Sequence, residues 1–320
     1  MKFLAITRSA GKPGFSMFRF LLSILLVGLA LLPGPRLSAE PTGVRIKSFP
    51  IGRFPFGMTF DGANVWVARS ESNVVNKVRA NDGKLLGTFD AGDGPNQLAF
   101  DGTYIWVTEL RSDSVVARLR ASDGVGQGRF KVGASPNGIL YDGTNIWVAN
   151  SGSDTVSKLR ASDGTTEGTF SVGVYPWQLA FDGANIWVSC YTDNTLVKLR
   201  ASDGVILGVF PVGAYPYDVV FDGTNIWVAN SGDDSVWELQ ASDGVVLATF
   251  TGFEQPEALA FDGTNIWIAN SPNVVVTRLR PSDGTRHDYT VGSYPFDLLF
   301  DGSKMWVTCI YSDSLVAIGR

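Results

Sequence analysis

The sequence is short of the residues that most enzymes use for nucleophilic, redox or metal chemistry. Its 320 residues include one histidine, His287, and two cysteines, Cys190 and Cys309. A Ser-His-Asp or Cys-His nucleophile needs its histidine in the pocket, and no cluster of residues has the spacing of zinc ligands. The stretch TRHDYTVG places His287 in a predicted outer strand. We therefore expect no catalytic triad, no metal site and no cofactor.

Basic residues are scarce once the N-terminal segment is set aside. Five of the 26 Lys and Arg residues precede residue 40, and none of the 31 Asp and Glu residues does, which leaves 21 basic against 31 acidic side chains and a formal charge of −10. A surface with this charge argues against binding to nucleic acid. The partner classes that remain are a small molecule, a glycan or a protein, and we expect a monomer.

The first 39 residues have the composition of a secretory signal. Their apolar run, from Phe20 to Leu32, is too short to span a bilayer. The run ends in PGPRLSAEP, where Leu37 and Ala39 have the spacing that a signal peptidase accepts. We predict a removed signal over 1–39, starting at Met1 or at Met17, and one periplasmic or extracellular domain over 40–320. The alternative is an N-terminal anchor helix.

A repeat of 39 to 41 residues fills the rest of the chain. An aromatic residue followed by Asp-Gly recurs at Phe60, Phe100, Tyr141, Phe181, Phe221, Phe261 and Phe300. A tryptophan follows six residues later each time, at Trp66, Trp106, Trp147, Trp187, Trp227, Trp267 and Trp306. The Asp-Gly pairs are typical of tight turns, because Gly adopts a positive φ without steric cost. Repeats of this length predict propeller blades or a solenoid.

The two ends of the repeated region decide between a ring and an open stack. One copy reads PYDVVFDG, NIWVAN, DSVWELQASDG and VVLATFTG, which predicts four short strands. GVRIKSFPIG, from residue 43, matches a fourth strand alone, whereas the C-terminal SDSLVAIGR matches a third strand without a fourth. Pairing these two fragments removes the exposed edges. We predict an all-β, seven-bladed β-propeller with four antiparallel strands per blade, closed by the N-terminal strand.

The stretch IWVANSGSDTVSKLRASDG at 146–164 resembles the YVTN-type repeat of bacterial extracytoplasmic propellers, with Trp where that repeat carries Tyr. The resemblance extends over the whole region from residue 40, and NHL-type and streptogramin lyase propellers are similar. It implies the propeller fold and export, in a group that includes binding proteins, surface-layer proteins and a few enzymes. Streptogramin lyases depend on a channel-side histidine and acidic metal ligands. Only IWVTE at 105–109 resembles their repeat, and the matching histidine is absent.

The copies differ most in the connections from the fourth strand of one blade to the first strand of the next. We expect the residue after each proline there to ring the mouth of the central channel: Phe56, Asn96, Asn137, Trp177, Tyr217, Glu257 and Phe296. In the aromatic blades the residue before proline is also aromatic, at Phe54, Tyr175, Tyr215 and Tyr294. Aromatic faces beside amides and acids suit a sugar ring, an aromatic natural product or a peptide. The alternative is that these aromatics plug the channel.

Trp177 and Tyr217 follow proline in adjacent repeats, so we expect their rings to lie side by side, with Gln178 and Asp218 as polar anchors. The connections from second to third strand also vary. Arg69 and Glu109 occupy equivalent positions in adjacent repeats and could pair, although such a surface pair contributes little. Cys190 and Cys309 share this position three blades apart, which is too far for a disulfide, so we expect two free, buried thiols.

We interpret the chain as a non-enzymatic scaffold that binds a ligand or a protein through its variable face. Its predicted ligand-binding residues are the seven mouth residues together with Tyr175, Tyr215, Tyr294 and Asp218. The alternative is a carboxylate-dependent lyase or hydrolase at the same mouth. Asp218, Glu254, Glu257 and Asp297 are the acids that would supply a carboxylate pair for it.

Overall fold

The computed structural model describes residues 43–112 and 114–319, and the predicted signal over 1–39 lies outside them. The described residues form seven four-stranded antiparallel sheets, with two short 3₁₀ turns at Ser70–Ser72 and Ile310–Ser312 as their only helical segments. None of these segments has the length and apolar character of a membrane span. The predicted seven-bladed β-propeller is confirmed.

Blades 1 to 4 each take four consecutive strands. Blade 1 contains β2 (Pro55–Phe60), β3 (Asn64–Arg69), β4 (Val74–Arg79) and β5 (Leu85–Asp90). Blade 2 contains β6 (Pro95–Phe100), β7 (Tyr104–Glu109), β8 (Val115–Arg120) and β9 (Gly126–Lys131). Blade 3 contains β10 (Pro136–Tyr141), β11 (Asn145–Asn150), β12 (Thr155–Arg160) and β13 (Thr166–Ser171). Blade 4 contains β14 (Pro176–Phe181), β15 (Asn185–Cys190), β16 (Thr195–Arg200) and β17 (Ile206–Pro211).

Blades 5 and 6 repeat this order, and blade 7 combines the two ends of the described chain. Blade 5 contains β18 (Pro216–Phe221), β19 (Asn225–Asn230), β20 (Ser235–Gln240) and β21 (Val246–Thr251). Blade 6 contains β22 (Pro256–Phe261), β23 (Ile266–Asn270), β24 (Val275–Leu279) and β25 (Arg286–Thr290). Blade 7 contains β26 (Pro295–Phe300), β27 (Met305–Cys309), β28 (Ser314–Gly319) and, as its outer strand, β1 (Arg45–Pro50).

The first strand of each blade lies on the inside of the ring. Each first strand contacts the first strands of both neighbouring blades, and the series closes between β26 and β2. The Asp-Gly turns, which join strands one to two and three to four, form one face of the disc, here called the turn face. The other connections form the opposite loop face.

Ring closure by the N-terminal strand is confirmed in detail. β1 pairs with β28 in antiparallel register from Arg45 with Gly319 to Pro50 with Ser314. Phe49 of β1 lies 5.9 Å from Trp306, ring centroid to centroid. In the other six blades an aromatic ring of the fourth strand makes the same contact with the tryptophan of its own blade, at 5.1–5.8 Å. The N-terminal strand therefore completes the packing of blade 7 as well as its hydrogen bonding.

The tryptophan of every second strand is buried and fixed by an aspartate. In all seven blades the indole Nε1 donates to the Asp-Gly aspartate, over 2.7–2.9 Å. Burial opposes ionisation of Asp61, Asp182 and Asp301, but hydrogen bonds from the tryptophan and from the turn outweigh it, so the pKa of each lies below its ordinary value. These aspartates do more than close a turn, because they also satisfy a buried indole.

In most blades a cation joins the blade to the next one, as Lys198 on the third strand of blade 4 illustrates. Lys198 Nζ lies 4.9 Å from the centroid of Trp187 and donates to the carbonyl oxygen of Ala241, in the next blade, over 2.7 Å. The Phe210 ring fills the space above Gly244 of the same turn, so a side chain there would collide with it. One indole thus organises its own blade and the seam beyond it.

The same cation contact recurs at five of the seven seams in the described part of the chain. Lys77, Arg118 and Lys158 provide it in blades 1 to 3. In blade 7 the donor is Lys304, which precedes the second strand and reaches Ala80 over 2.7 Å. The contact is therefore preserved there although the residue that makes it has moved in the sequence.

The seam between blades 5 and 6 lacks this contact among the residues that the structure describes. Glu238 occupies the cation's position and accepts a hydrogen bond from Asn225 of its own blade over 2.7 Å. The aromatic contact is also looser, because a Cβ on Gly284 would lie 3.6 Å from the Phe250 ring. Blade 5 is therefore attached to its successor by fewer of these contacts than blade 4 is.

Glu238→Lys should stabilise the protein. The new ammonium would lie over Trp227, as Lys198 lies over Trp187, and would reach the carbonyl groups of the turn at 281–282. We expect a gain of about 1 kcal/mol, from a charged hydrogen bond minus the lost Asn225 contact, which is roughly 2–4 °C in Tm. Differential scanning calorimetry measures the change.

The matched control is Lys198→Glu, which removes the contact from an intact seam and should lower Tm. If Glu238→Lys lowers Tm as well, the cation does not stabilise the seam in the way proposed.

Candidate functional site

The residue before each proline on the loop face has a left-handed backbone. Its φ is 52° at Phe54, 61° at Tyr175, 52° at Tyr215 and 59° at Tyr294, and Gly94 holds the same position in blade 2 with φ 66°. Bulky residues rarely adopt this conformation, which costs them on the order of 1 kcal/mol or more. The aromatic residues therefore occupy positions where glycine would be relaxed.

Side chains of the neighbouring loop hold this strained backbone in place. Asp154 Oδ1 accepts the Tyr175 amide proton over 3.0 Å, and Asn194 Oδ1 accepts that of Tyr215 over 2.8 Å. Each of these acceptors lies in the loop between second and third strands of the preceding blade. The loops of adjacent blades thus fix one another and position the aromatic side chains.

Five aromatic rings of blades 4 and 5 contact one another on the loop face. This aromatic cluster consists of Tyr175, Trp177, Tyr191, Tyr215 and Tyr217. Trp177 and Tyr217 lie side by side as predicted, with ring centroids 4.9 Å apart. Tyr175 stacks on Trp177 at 5.5 Å, and Tyr191 stacks on Tyr215 at 4.9 Å.

Tyr191 links the two stacks and was not predicted from the sequence. Its ring lies 6.0 Å from both Tyr175 and Trp177, in addition to its stacking on Tyr215. It follows Cys190 in the second-to-third loop, where blades 3 and 5 carry Ser151 and Ser231. The change from serine to tyrosine at this position was the feature of the sequence from which Tyr191 could have been predicted. Tyr215 is 47% exposed and offers the most accessible ring of the cluster.

The aromatic residues of blades 7 and 1 divide into a buried and an exposed set. Phe56 and Phe296 are buried and meet edge to face at 4.9 Å, so they fill the inside of the ring. Tyr311, which the sequence analysis also missed, is 65% exposed and contacts Phe54 and Tyr294 at 6.2 and 5.0 Å. Tyr217 packs from one side against the core that contains Phe56.

Asn96 and Asn137 lie inside the ring instead of at an open rim. Both are 3% exposed, and the Asn96 amide donates to Asn137 Oδ1 over 2.7 Å. The structure therefore brings Trp177, Tyr217 and Glu257 to a partly open part of the mouth. Phe56, Phe296 and the two asparagines close the rest of it.

Asp218 and Asp297 connect the inner strands of adjacent blades. Asp218 accepts the amide protons of Val219 and of Leu259 in blade 6, over 2.8 and 2.7 Å. Asp297 likewise accepts those of Leu298 and of Met58 in blade 1, over 2.9 and 2.7 Å. Burial raises the pKa of each to about 7, and for Asp297 the nearby Asp218 contributes as well.

Glu257 lies on the inner strand of blade 6, between these two aspartates in blade order. Its Oε1 accepts the Tyr294 hydroxyl proton over 3.2 Å. Oε2 is buried and accepts no hydrogen bond from the described residues. The Ser271 hydroxyl is near and favours the ionised carboxylate, but it donates to the Pro295 carbonyl oxygen over 2.6 Å. Burial outweighs these contacts and raises the pKa of Glu257 to about 7.

Charged residues of the second-to-third loops find local partners. Glu109 pairs with Arg129 over 2.9 Å, and Arg69 donates to Ser72, so the suggested Arg69–Glu109 pair is wrong. The asparagines at this position form hydrogen bonds within their own hairpin. Asn150, for example, donates to Ser157 over 2.9 Å. Glu254 is exposed and accepts a hydrogen bond from Asn273.

The cysteines and the histidine lie where the sequence predicted. Cys190 and Cys309 are free and buried, and burial raises the pKa of their thiols to about 12 and about 11. His287 lies in β25, an outer strand, and meets Tyr289 edge to face at 4.6 Å.

Within 43–112 and 114–319, no three His, Cys, Asp or Glu side chains are grouped so that they could hold a metal ion.

The fold is shared with proteins of known structure. A streptogramin B lyase superimposes with a TM-score of 0.75 at 18% identity, over 86% of this chain and 97% of the lyase. The hydrazine synthase of Kuenenia stuttgartiensis superimposes with a TM-score of 0.76 at 17% identity, over 91% and 99%. The chain has the fold of the streptogramin lyase-like propellers. No protein-family profile and no curated protein sequence matches it.

The three raised carboxyl pKa values predict that stability falls as the pH rises. Asp218, Glu257 and Asp297 hold their protons up to a pH of about 7 in the folded state, whereas the unfolded chain releases them near pH 4. Their contribution is therefore complete below pH 4 and is lost by about pH 7. We expect Tm to fall by at least about 5 °C between pH 5 and pH 8.

Asp218→Asn with Asp297→Asn should flatten this profile, because two of the three titrating groups are removed. Calorimetry of both proteins at matched ionic strength compares the slopes. Equal slopes would show that these aspartates are ionised throughout the range.

Proposed function

We propose that this chain is an exported β-propeller that binds a small molecule, a glycan or a segment of another protein at the aromatic cluster of its loop face. The stacked pair of Tyr191 and Tyr215 carries the proposal. Tyr215 keeps a strained φ of 52° while nearly half of its surface is exposed. A ring that serves only as packing would be buried, as Phe56 and Phe296 are.

The chemistry of the cluster suits a ligand with both flat and polar parts. Tyrosine and tryptophan present apolar faces together with a polar edge, and they lose little conformational entropy on binding. Trp177, Tyr191 and Tyr217 are each partly exposed, and Glu257 lies on the inner strand next to that of Tyr217. A ligand there would meet stacked rings and a carboxyl group together.

Catalysis by a pair of carboxyl groups is the second candidate, because three carboxyls at the mouth have a pKa of about 7. Such values suit general acid and base chemistry. Asp218 and Asp297, however, already accept two backbone amide protons each. Of these three carboxyls, only Glu257 keeps a buried oxygen that accepts no hydrogen bond from the described residues, and glycoside hydrolysis requires two carboxyls. The arrangement therefore favours binding.

Export is supported by the sequence of the N-terminal segment and by the YVTN-type resemblance. The apolar run from Phe20 to Leu32, followed by the small residue Ala39, suits cleavage by a signal peptidase. Mass spectrometry of the secreted protein would test this part of the proposal, with Glu40 as the expected N-terminal residue.

Tyr191→Ser combined with Tyr215→Ser tests the proposed binding site. These changes copy onto blades 4 and 5 the residues that blade 3 carries, Ser151 and Ser135. In a thermal-shift screen of glycans, metabolites and peptides, we expect a ligand that raises the Tm of the unchanged protein. The double variant should lose that shift, while its own Tm should fall by less than about 4 °C, because the rings it removes are partly exposed.

Tyr311→Ser is the matched control, since it removes an exposed loop-face tyrosine of blade 7. It should bind the ligand as the unchanged protein does. Undiminished binding by the double variant, or a fall in its Tm by more than about 10 °C, would show that the cluster is packing and not a site.

A further inference from the structure

Glu257 presents a carboxylate oxygen that accepts no hydrogen bond in the described part of the structure. Oε2 is buried and unpartnered among the described residues, while Oε1 has a single long hydrogen bond from Tyr294. A buried carboxylate is costly unless it is paired or hydrogen-bonded. The free oxygen therefore marks a place where a positively charged or proton-donating group would be stabilised.

Two tyrosines adjoin this carboxyl group. The Tyr294 hydroxyl donates to Oε1, and Tyr217 holds in the neighbouring inner strand β18 the position that Glu257 holds in β22, directly after the proline. Burial raises the pKa of Tyr191, Tyr217 and Tyr294, and the charge of Glu257 adds to the increase. Tyr191 and Tyr217 lie 6.3 Å apart with perpendicular rings, and both contact Trp177. Aromatic faces attract cations electrostatically, and more strongly when the cation is desolvated.

The loops around the aromatic cluster contain no basic residue. From blade 3 to blade 7, the fourth-to-first and second-to-third connections carry acidic and neutral side chains only, at 132–135, 151–154, 172–175, 191–194, 212–215, 231–234, 252–255, 271–274, 291–294 and 310–313. Arg53, Arg69 and Arg111, in or beside the loop-face connections, all belong to blades 1 and 2. Arg286 of blade 6 places its guanidinium 4.2 Å from the ring centroid of Phe253, in the connection from blade 5 to blade 6. The connections that carry the aromatic cluster, at 172–175, 191–194 and 212–215, contribute no basic side chain that would repel a cation.

We propose that the loop face of blades 4 to 6 binds an organic ammonium group, held against the Glu257 carboxylate and the rings of Tyr191, Tyr217 and Trp177. This inference rests on the proposed binding function and specifies the chemical class of the ligand. A metal ion suits the position less well, because hard cations require several oxygen ligands and Glu257 offers one free oxygen. An alkylated ammonium requires only one counter-charge and apolar faces.

Tetramethylammonium chloride is the probe, titrated against the full chain by calorimetry with sodium chloride at equal ionic strength as the blank. A second pair compares choline with 3,3-dimethylbutan-1-ol, which has nearly the same shape without the charge. We expect binding of both cations and at least about tenfold weaker binding of the neutral alcohol.

Four variants locate the site. Glu257→Gln keeps the shape and removes the charge, and it should weaken cation binding at least about tenfold. Tyr191→Leu should weaken it by a similar factor, whereas Tyr191→Phe should retain it, because the ring face is kept. Tyr311→Ser, on blade 7, should bind as the unchanged protein does.

The pH dependence gives an independent readout. Binding should strengthen between pH 6 and pH 8, because the cation favours ionised Glu257, and Glu257→Gln should weaken this dependence. Asp218 and Asp297 face the same mouth and titrate in the same range, so the comparison with Glu257→Gln isolates the contribution of Glu257. The pKa values of Tyr191, Tyr217 and Tyr294 lie above their ordinary value of 10, outside this range.

Equal binding of choline and its neutral analogue, or cation binding unchanged in Glu257→Gln, would overturn the inference. If tetramethylammonium fails to bind but the screen finds a neutral ligand that requires Tyr191 and Tyr215, the ligand class is wrong and the proposed function stands. If no ligand of any class requires these tyrosines, both fail.

Discussion

The buried indole at the centre of each blade is the contact on which the rest of the structure depends. Its N–H requires an acceptor, which the Asp-Gly turn provides, and its ring receives a fourth-strand aromatic residue. In most blades a cation lies over the same ring and donates to a carbonyl group of the next blade. Burial of one residue type therefore fixes a turn, a strand pair and a seam together, which explains why the turn face is repeated with so little change.

The loop face is free of these requirements and differs from blade to blade. In most blades its backbone is held by an acceptor in the neighbouring loop, such as Asp154 or Asn194. Serine, glutamine, tyrosine, phenylalanine and glycine all occupy the position before the proline. Blades 4 and 5 use this freedom to assemble stacked rings, and blade 6 places Glu257 beside them. The scaffold and the candidate site thus lie on opposite faces and depend on different residues.

The fold could be predicted from the sequence because its causes are local and repeated seven times. The spacing of Asp-Gly and tryptophan and the complementary end strands were sufficient for ring closure. The site was harder to predict because its contacts join residues from different blades. Tyr191 was missed because it lies outside the proline-centred connections, and the roles of Asp218 and Asp297 depend on amide groups of the neighbouring blade. The movement of the blade 7 cation to Lys304 could likewise be recognised only from the folded arrangement.

The central claim is that the contacts of the buried indole hold blade 7, which the N-terminal strand completes, as firmly as the other blades. Native-state hydrogen exchange, resolved for each blade, tests this claim most directly. Because β1 and Phe49 complete blade 7 with the contacts of an ordinary fourth strand, the amide protons of β27 should exchange only through global unfolding. They should therefore show the same free energy of opening as those of β11 and β15 in blades 3 and 4. A separate opening of blade 7 at a clearly lower free energy would contradict the claim.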